Sequence, residues 1–265
     1  MQILITPVRS ASRLSMLTLH LALGGVIVLY QALFYTRYWY NSRKGKHIVQ
    51  WWVRRACHIL AININVYGEV NHEKETLFVA NHVSWLDIIA LSAVVQVKFI
   101  SKDSIKHWPI IGWLVTSVGT LLIRRGKYFV ISRLVALIKK ELKHRHSVLL
   151  FPEGTTTNGK QVAPFRFALL QSVTHSEYMV QAIALQYITA TGVDLQALYI
   201  GKDNFVFHLL RLTMRDSTRL KIHFTQAFSV RNMDRHAVAK QARENILQEL
   251  GLDEHSVQLP VRQVA

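Results

Sequence analysis

From Leu14 to Tyr35 the chain carries no charged residue over 22 consecutive positions, and this constrains its fold more than any other feature. At ~1.5 Å per residue a helix of that length reaches ~33 Å, enough to cross the hydrocarbon of a bilayer. It has no small-residue cleavage site, and its apolar core is too long for a signal peptide, so it is expected to stay in place as an anchor. Arg37, Arg43, Lys44 and Lys46 follow it, against Arg9 and Arg13 before it, an asymmetry that puts the bulk of the chain on the cytoplasmic face of the cytoplasmic membrane. Tyr35, Tyr38, Trp39 and Tyr40 gather where an interfacial aromatic belt belongs. The next stretch, His47 to Leu60, has amphipathic helical spacing: Ile48, Trp52, Ala56 and Ile59 share a face with Val49, Val53 and Leu60, while Gln50, Arg54 and His58 occupy another. A basic helix with tryptophans suits a membrane surface.

Charge points the same way. Residues 1–60 hold eight Lys and Arg and no Asp or Glu, and the whole chain of 265 residues has 32 Lys and Arg against 16 Asp and Glu. A net charge of +16 requires an anionic neighbour, either a membrane or nucleic acid. No aromatic-basic recognition motif or cysteine finger is present, and the charge lies beside an apolar anchor, so an anionic membrane is expected and nucleic acid is not. Cys57 is the only cysteine, which excludes an intrachain disulfide and suits a reducing compartment. The histidines show no metal-ligand spacing, so neither metal nor cofactor is expected.

Beyond residue 60 the pattern alternates. Strands are expected at 62–67, 76–80, 97–100, 120–123, 147–151, 179–187 and 219–224. Helices are expected at 84–94, 110–117, 128–143, 165–172, 205–214 and 235–250. Strands apolar throughout, separated by helices, predict an α/β fold: a mixed, largely parallel sheet covered by helices, joined to an N-terminal helical membrane anchor. The expected organisation is an anchor at 1–60, an α/β domain at 61–252 and a loose tail at 253–265.

Within this pattern, Asn81-His82-Val83-Ser84-Trp85-Leu86-Asp87 follows the buried strand 76–80. Ser84 reads as the start of the next helix, so His82 falls in the turn before it. Residues five apart on one helix lie about 140° apart and cannot face each other, so His82 must precede the helix for its ring to meet the Asp87 carboxylate. A histidine held in that way is a general base for a hydroxyl proton. Ser84 to Asp87 is also an [ST]-x-x-[DE] capping box, in which Asp87 would satisfy backbone donors and His82 would be only a turn residue. A second loop, ordinary when read alone, bears on the choice when the two are taken together. The strand at 147–151 runs into Pro152-Glu153-Gly154-Thr155-Thr156-Thr157-Asn158-Gly159, where a proline stop, two glycines and several polar side chains offer hydrogen bonds to a ligand.

Taken together, N-H-x-x-x-x-D at Asn81 to Asp87, a basic block ending at Ile123-Arg124-Arg125, and F-P-E-G-T at Phe151 to Thr155 resemble the glycerolipid acyltransferase family, which includes the 1-acylglycerol-3-phosphate acyltransferases. The resemblance covers roughly Thr76 to Tyr187. It implies a membrane-bound O-acyltransferase moving a fatty acyl group from a thioester donor, acyl-CoA or acyl carrier protein, to the hydroxyl of a lysolipid. It makes His82 and Asp87 catalytic, gives Glu153, Gly154 and Thr155 to the acceptor, and places Arg125 or Arg124, with Lys102 as a second cation, on its phosphate. It also implies that an N-terminal helix pair can dip into one leaflet instead of spanning. The expected acceptor is 1-acylglycerol-3-phosphate, giving phosphatidate. Three departures from the family pattern bear on that acceptor: Thr156 stands where many members have arginine, Phe165-Arg166-Phe167-Ala168 replaces F-K-x-G, and Ala182 replaces a proline. They resemble the lyso-ornithine-lipid branch and some lysophospholipid acyltransferases, so a lyso-ornithine lipid or another lysophospholipid is the alternative acceptor. A lipid-binding module without catalysis is the alternative from another class. A serine hydrolase is disfavoured because no G-x-S-x-G occurs.

Overall fold

The computed structural model describes residues 2–34, 42–107, 111–117, 120–123, 128–201 and 203–253. Two helices come first, α1 (Gln2–Phe34) and α2 (Arg43–Ile59). The body then alternates: β1 (Ile62–Tyr67), β2 (Thr76–Ala80), α3 (Leu86–Val94), β3 (Lys98–Lys102), α4 (Ile111–Ser117), β4 (Leu121–Ile123), α5 (Tyr128–Lys143) and β5 (Val148–Leu150). It ends with β6 (Met179–Thr189), β7 (Gly192–Val193), α6 (Phe205–Met214), β8 (Thr218–Phe224), β9 (Phe228–Ser229) and α7 (Arg235–Leu250). The segment expected as a helix at 165–172 is a 3-10 helix, Phe167–Ser172. Residues 35–41, 124–127 and 254–265 lie outside the described residues, so the aromatic belt from Tyr35 to Tyr40, Arg124 and Arg125, and nearly all of the tail are not placed.

The sheet order is β1-β8-β6-β2-β5-β3-β4, with β7 and β9 paired to β6. Strands β6, β2, β5, β3 and β4 run parallel, as do β1 and β8, and the two groups meet where β8 pairs antiparallel with β6. Parallel strands are buried on both faces, and alternation along them divides the core. On β2, Phe78 and Ala80 join Val53 and Cys57 of α2, Leu86 and Leu91 of α3, and Leu212 of α6 on one face. Leu77 and Val79 meet Ile138 and Leu142 of α5 and Val238 and Ile246 of α7 on the other.

The N-terminal helices pack on the body instead of standing apart from it. Arg13 donates to the carbonyls of Thr213, Arg215 and Asp216, capping the C-terminal end of α6, and Ser10 is hydrogen-bonded to Thr213 at 2.7 Å. Farther along α1, the Trp52 indole donates to the carbonyl of His20 (3.2 Å), the His20 imidazole bonds the carbonyl of Trp52 (3.0 Å), and the two rings stack. Gly24 allows this approach, since a Cβ there would lie 2.9 Å from the indole. Gln50 and Arg54 of α2 donate to the last carbonyls of α3, those of Ala93 and Val94.

At the carboxyl end of β2 the ladder is extended by a side chain. Asn81 donates to the carbonyl of Leu185 (3.0 Å) and accepts from its N–H (2.8 Å), while the backbone leaves the sheet towards α3. Both groups are buried, and Asn81→Ala would orphan a donor and an acceptor at about 1–3 kcal/mol each. We expect that substitution to destabilise the protein by about 2–5 kcal/mol in urea unfolding in mild detergent. Asn81→Asp, which returns the acceptor but buries a carboxylate against the Leu185 carbonyl, should be no more stable than Asn81→Ala.

Candidate active site

The turn from His82 to Trp85, between β2 and α3, carries the imidazole at the carboxyl edge of the parallel strands. His82 Nδ1 lies 2.8 Å from Asp87 Oδ2. Asp87 sits in the first turn of α3, where the helix dipole favours a carboxylate, and its side chain is fully buried. Oδ2 also accepts from the N–H groups of Val83 (2.8 Å) and Ser84 (2.9 Å), and Oδ1 accepts from the Tyr187 hydroxyl (2.9 Å). An acceptor surrounded in this way fixes the tautomer: Nδ1 donates, and Nε2 keeps its lone pair for an incoming proton. The ring is 18% exposed and stacks on Phe151 with centroids 4.1 Å apart, so its plane is set as well as its tautomer.

The general-base and capping readings of this stretch describe one arrangement. Asp87 reaches back to the N–H of Ser84, the half of a capping box that a carboxylate supplies, and the same oxygen holds His82. The helix starts two residues later than expected, with Trp85 as its cap and no side-chain cap bond. The Ser84 hydroxyl only approaches the Leu86 N–H at 3.4 Å.

The second loop meets the first through backbone donors. Glu153 Oε1 accepts from the N–H of His82 (2.7 Å), and Oε2 accepts from the N–H of Ala163 (2.8 Å). With both oxygens committed and the residue 3% exposed, Glu153 clamps the loop to the histidine turn. Thr157 N–H donates to the carbonyl of His82 at 2.8 Å, and Tyr199 N–H to that of Val83 at 3.0 Å. Burial pushes the Glu153 carboxyl up to about 7, against the pull of the two N–H groups and of His82. Gly154 has φ +71°, and a Cβ on it would lie 2.9 Å from Cζ of Arg166, so the guanidinium packs on the bare Cα beside the site. Thr155 is exposed next to it. Of the basic block, Lys102 closes β3, and Arg124 and Arg125 lie outside the described residues. Among the described residues no cluster of His, Cys, Asp or Glu could hold a metal ion.

Sequence reasoning did not single out Tyr187. It lies on β6 on the same face as Ile183 and Leu185, and a hydroxyl on an otherwise apolar buried face needs a partner, which was the available signal. Burial and the neighbouring Asp87 push its phenol well above its ordinary range, so it serves as a permanent donor.

The family model described as Acyltransferase matches residues 63–186. The lyso-ornithine lipid O-acyltransferase of Pseudomonas aeruginosa is 37% identical over 202 residues, covering 76% of this chain and 77% of that protein. The 1-acyl-sn-glycerol-3-phosphate acyltransferase of Neisseria gonorrhoeae is 33% identical over 176 residues, covering 66% and 69%. The crystal structure of the 1-acyl-sn-glycerophosphate (LPA) acyltransferase PlsC of Thermotoga maritima superposes with a TM-score of 0.68 at 15% identity, covering 98% of this chain and 99% of that one, and it shares the fold.

The Glu153 carboxyl has a measurable consequence for stability. Its pKa is about 7 folded and 4.5 ordinarily, so its favourable contribution is fully present below pH 4.5 and is lost as pH rises to about 7. Relative to Glu153→Gln, which cannot titrate, the wild type should lose up to about 3 kcal/mol of stability across that window. Unfolding of both proteins at a series of pH values checks this, and a pH-independent difference would contradict it.

Proposed function

The chain belongs to the acyltransferase family, and on that premise we propose that it moves a fatty acyl group from a thioester, acyl-CoA or acyl carrier protein, to the free hydroxyl of a lysolipid. The observation that carries the proposal is the His82–Asp87 pair, with its tautomer fixed by donors on every side of the carboxylate. Nε2 takes the proton of the acceptor hydroxyl as its oxygen attacks the thioester carbon. The imidazolium formed is compensated by Asp87, and it returns the proton to the departing thiolate as the tetrahedral intermediate collapses. The ester bond forms, the carbon–sulfur bond breaks, and no acyl-enzyme is needed. Cys57 is buried in α2 with its thiol pushed up to about 12, which argues against a role as nucleophile.

Lyso-ornithine lipid is the favoured acceptor. The P. aeruginosa lyso-ornithine lipid enzyme shares more identity over more of its length than the glycerol-phosphate enzyme does, and Thr156 removes a cation that a phosphate acceptor would use. 1-Acylglycerol-3-phosphate is the second reading, supported by the exposed Arg166 guanidinium over Gly154. His82→Ala should lower acyl transfer by at least ~10³, and Asp87→Asn by about 10³–10⁴, through loss of the tautomer. Labelled acyl donor offered with both lysolipids should give ornithine lipid as the main product. Turnover retained by His82→Ala would reject the mechanism, and phosphatidate as the main product would reject the acceptor.

The helix that is long and apolar enough to cross a membrane, Thr6–Phe34, supports membrane association, and its docking supports insertion into one leaflet. Ser10, His20, Gly24 and Val28 lie buried along one stripe over ~27 Å of helix, so a perpendicular span would drag the body into the hydrocarbon. Leu19, Leu23, Val26, Leu29, Leu33 and Phe34 are left exposed for lipid. We expect the protein to remain with membranes in 1 M salt and to be released by detergent, because apolar insertion is not screened by salt as charge attraction is. Release by salt alone would contradict insertion.

A further inference from the structure

The active site occupies the carboxyl edge of the parallel strands. At the opposite edge, where β3 and β5 begin and α2 crosses the end of α3, lies a cavity of about 500 Å³. That size falls within the range of small-molecule sites. Its lining divides by chemistry. Lys46, Arg54, Lys98, Arg145 and His146 stand on it with Glu141 beside them, while Val49, Val70, Val94, Val97, Phe78 and Phe99 give it an apolar wall. The basic groups are concentrated where the strands start, and Arg145 there is largely exposed. Phe78 and Phe99 lie farther along the strands, within the core.

The charges do not balance. Lys98 and His146 both bond Glu141 Oε2, at 2.7 and 2.8 Å, and Arg145 lies 3.7 Å from Glu75. Arg54 donates Nε to a backbone carbonyl, and the Lys46 ammonium makes no ion pair or hydrogen bond among the described residues. Four permanent cations therefore face two carboxylates. Burial, and then the charge of Lys98, lower the proton affinity of Lys46, as crowding of like charge in a half-enclosed space requires. Such a rim, with an apolar wall beneath it, is complementary to an anion that carries a hydrocarbon tail.

We propose that this cavity binds a single-tailed anionic amphiphile, a fatty-acid anion or a lysolipid phosphate, with its head between Lys46, Arg54 and Lys98 and its tail along Val49, Val94, Val97 and Phe99. The cavity opens beside α2, whose Ile48 and Trp51 are exposed, and on the membrane association proposed above a ligand would reach it from lipid. Phe99 also stacks on Phe151, which stacks on His82, so this site and the catalytic one share a wall while lying at opposite edges of the sheet.

The test does not depend on turnover. The full chain in phosphatidylcholine nanodiscs is photolysed with a dodecanoate carrying a diazirine at its tail, and the adducts are mapped by mass spectrometry. Adducts are expected around Val49 and in the segment Val94 to Phe99. Dodecanoate and dodecyl lysophosphatidate should compete, and their relative strength shows which head is preferred; dodecanol and inorganic phosphate should not. Lys46→Glu should weaken labelling about tenfold or more, as loss of a charged hydrogen bond does, and His82→Ala should leave it unchanged. Val97→Trp, which fills the cavity without touching the cations, is the second variant and should also abolish labelling, with folding of both checked by circular dichroism. Labelling that is confined to the loops at His82 and Glu153, equally competed by dodecanol, displaced by inorganic phosphate alone, or unaffected by both variants would overturn the proposal.

Discussion

The structure depends on one buried carboxylate. Asp87 has no exposed side-chain surface, and a carboxylate in that position costs several kcal/mol unless donors replace its water. Four donors do so: the imidazole of His82, the N–H groups of Val83 and Ser84, and the hydroxyl of Tyr187. Three of them come from the turn itself and one from a strand a hundred residues later. The turn cannot adopt its shape without Asp87, and Asp87 cannot be buried there without the turn and β6. The His82–Asp87 geometry and the local fold are therefore one set of bonds.

Glu153 makes the corresponding link from the other side. It spends both oxygens on backbone donors, so the loop after β5 is held against the loop after β2 by a charge-assisted bond. It pays for burial with a strongly raised proton affinity, because its two N–H groups do not make up the lost hydration. The acid conserves the shape of the cleft. The groups left facing outward beside it are Thr155 and the Arg166 guanidinium over Gly154.

Much of this was legible in the chain before any coordinates. Strand and helix alternation, the mixed and mainly parallel sheet, and the position of His82 ahead of α3 all follow from periodicity and from the angle between residues five apart. Periodicity does not separate a capping box from a histidine–carboxylate pair, because both need a carboxylate at the same place, and in the folded chain one oxygen of Asp87 meets both the Ser84 N–H and the His82 imidazole. The family resemblance assigns Glu153 to the acceptor; in the folded chain its oxygens accept from the backbone N–H groups of His82 and Ala163, partners that leave no mark in a sequence. Tyr187 was missed since its partner is distant in the chain, and the helix expected at 165–172 tightened to a 3-10 turn after the loop closes onto Pro152 through Arg166 N–H. Arg124 and Arg125, expected at the acceptor phosphate, lie outside the described residues.

The packing of α1 on the body links it to the His82 turn. Arg13 and Ser10 of α1 hold the end of α6, and His208 of α6 accepts from the Trp85 indole at 3.0 Å, in the turn that carries His82. The other ring nitrogen of His208 bonds the carbonyl of Leu198, and the next residue, Tyr199, donates to Val83. A continuous set of polar contacts thus runs from the apolar helix to the imidazole. With α1 inserted in lipid as proposed above, these contacts tie the height of the His82 turn above the hydrocarbon to the depth of the helix. In the proposed reaction a lysolipid keeps its tail in the leaflet and presents its hydroxyl near the head-group plane, so a base tied to α1 would meet that hydroxyl without extracting the lipid. A long flexible tether between helix and body would lose that advantage, and the hydrogen bonds along α6 are what remove the need for one.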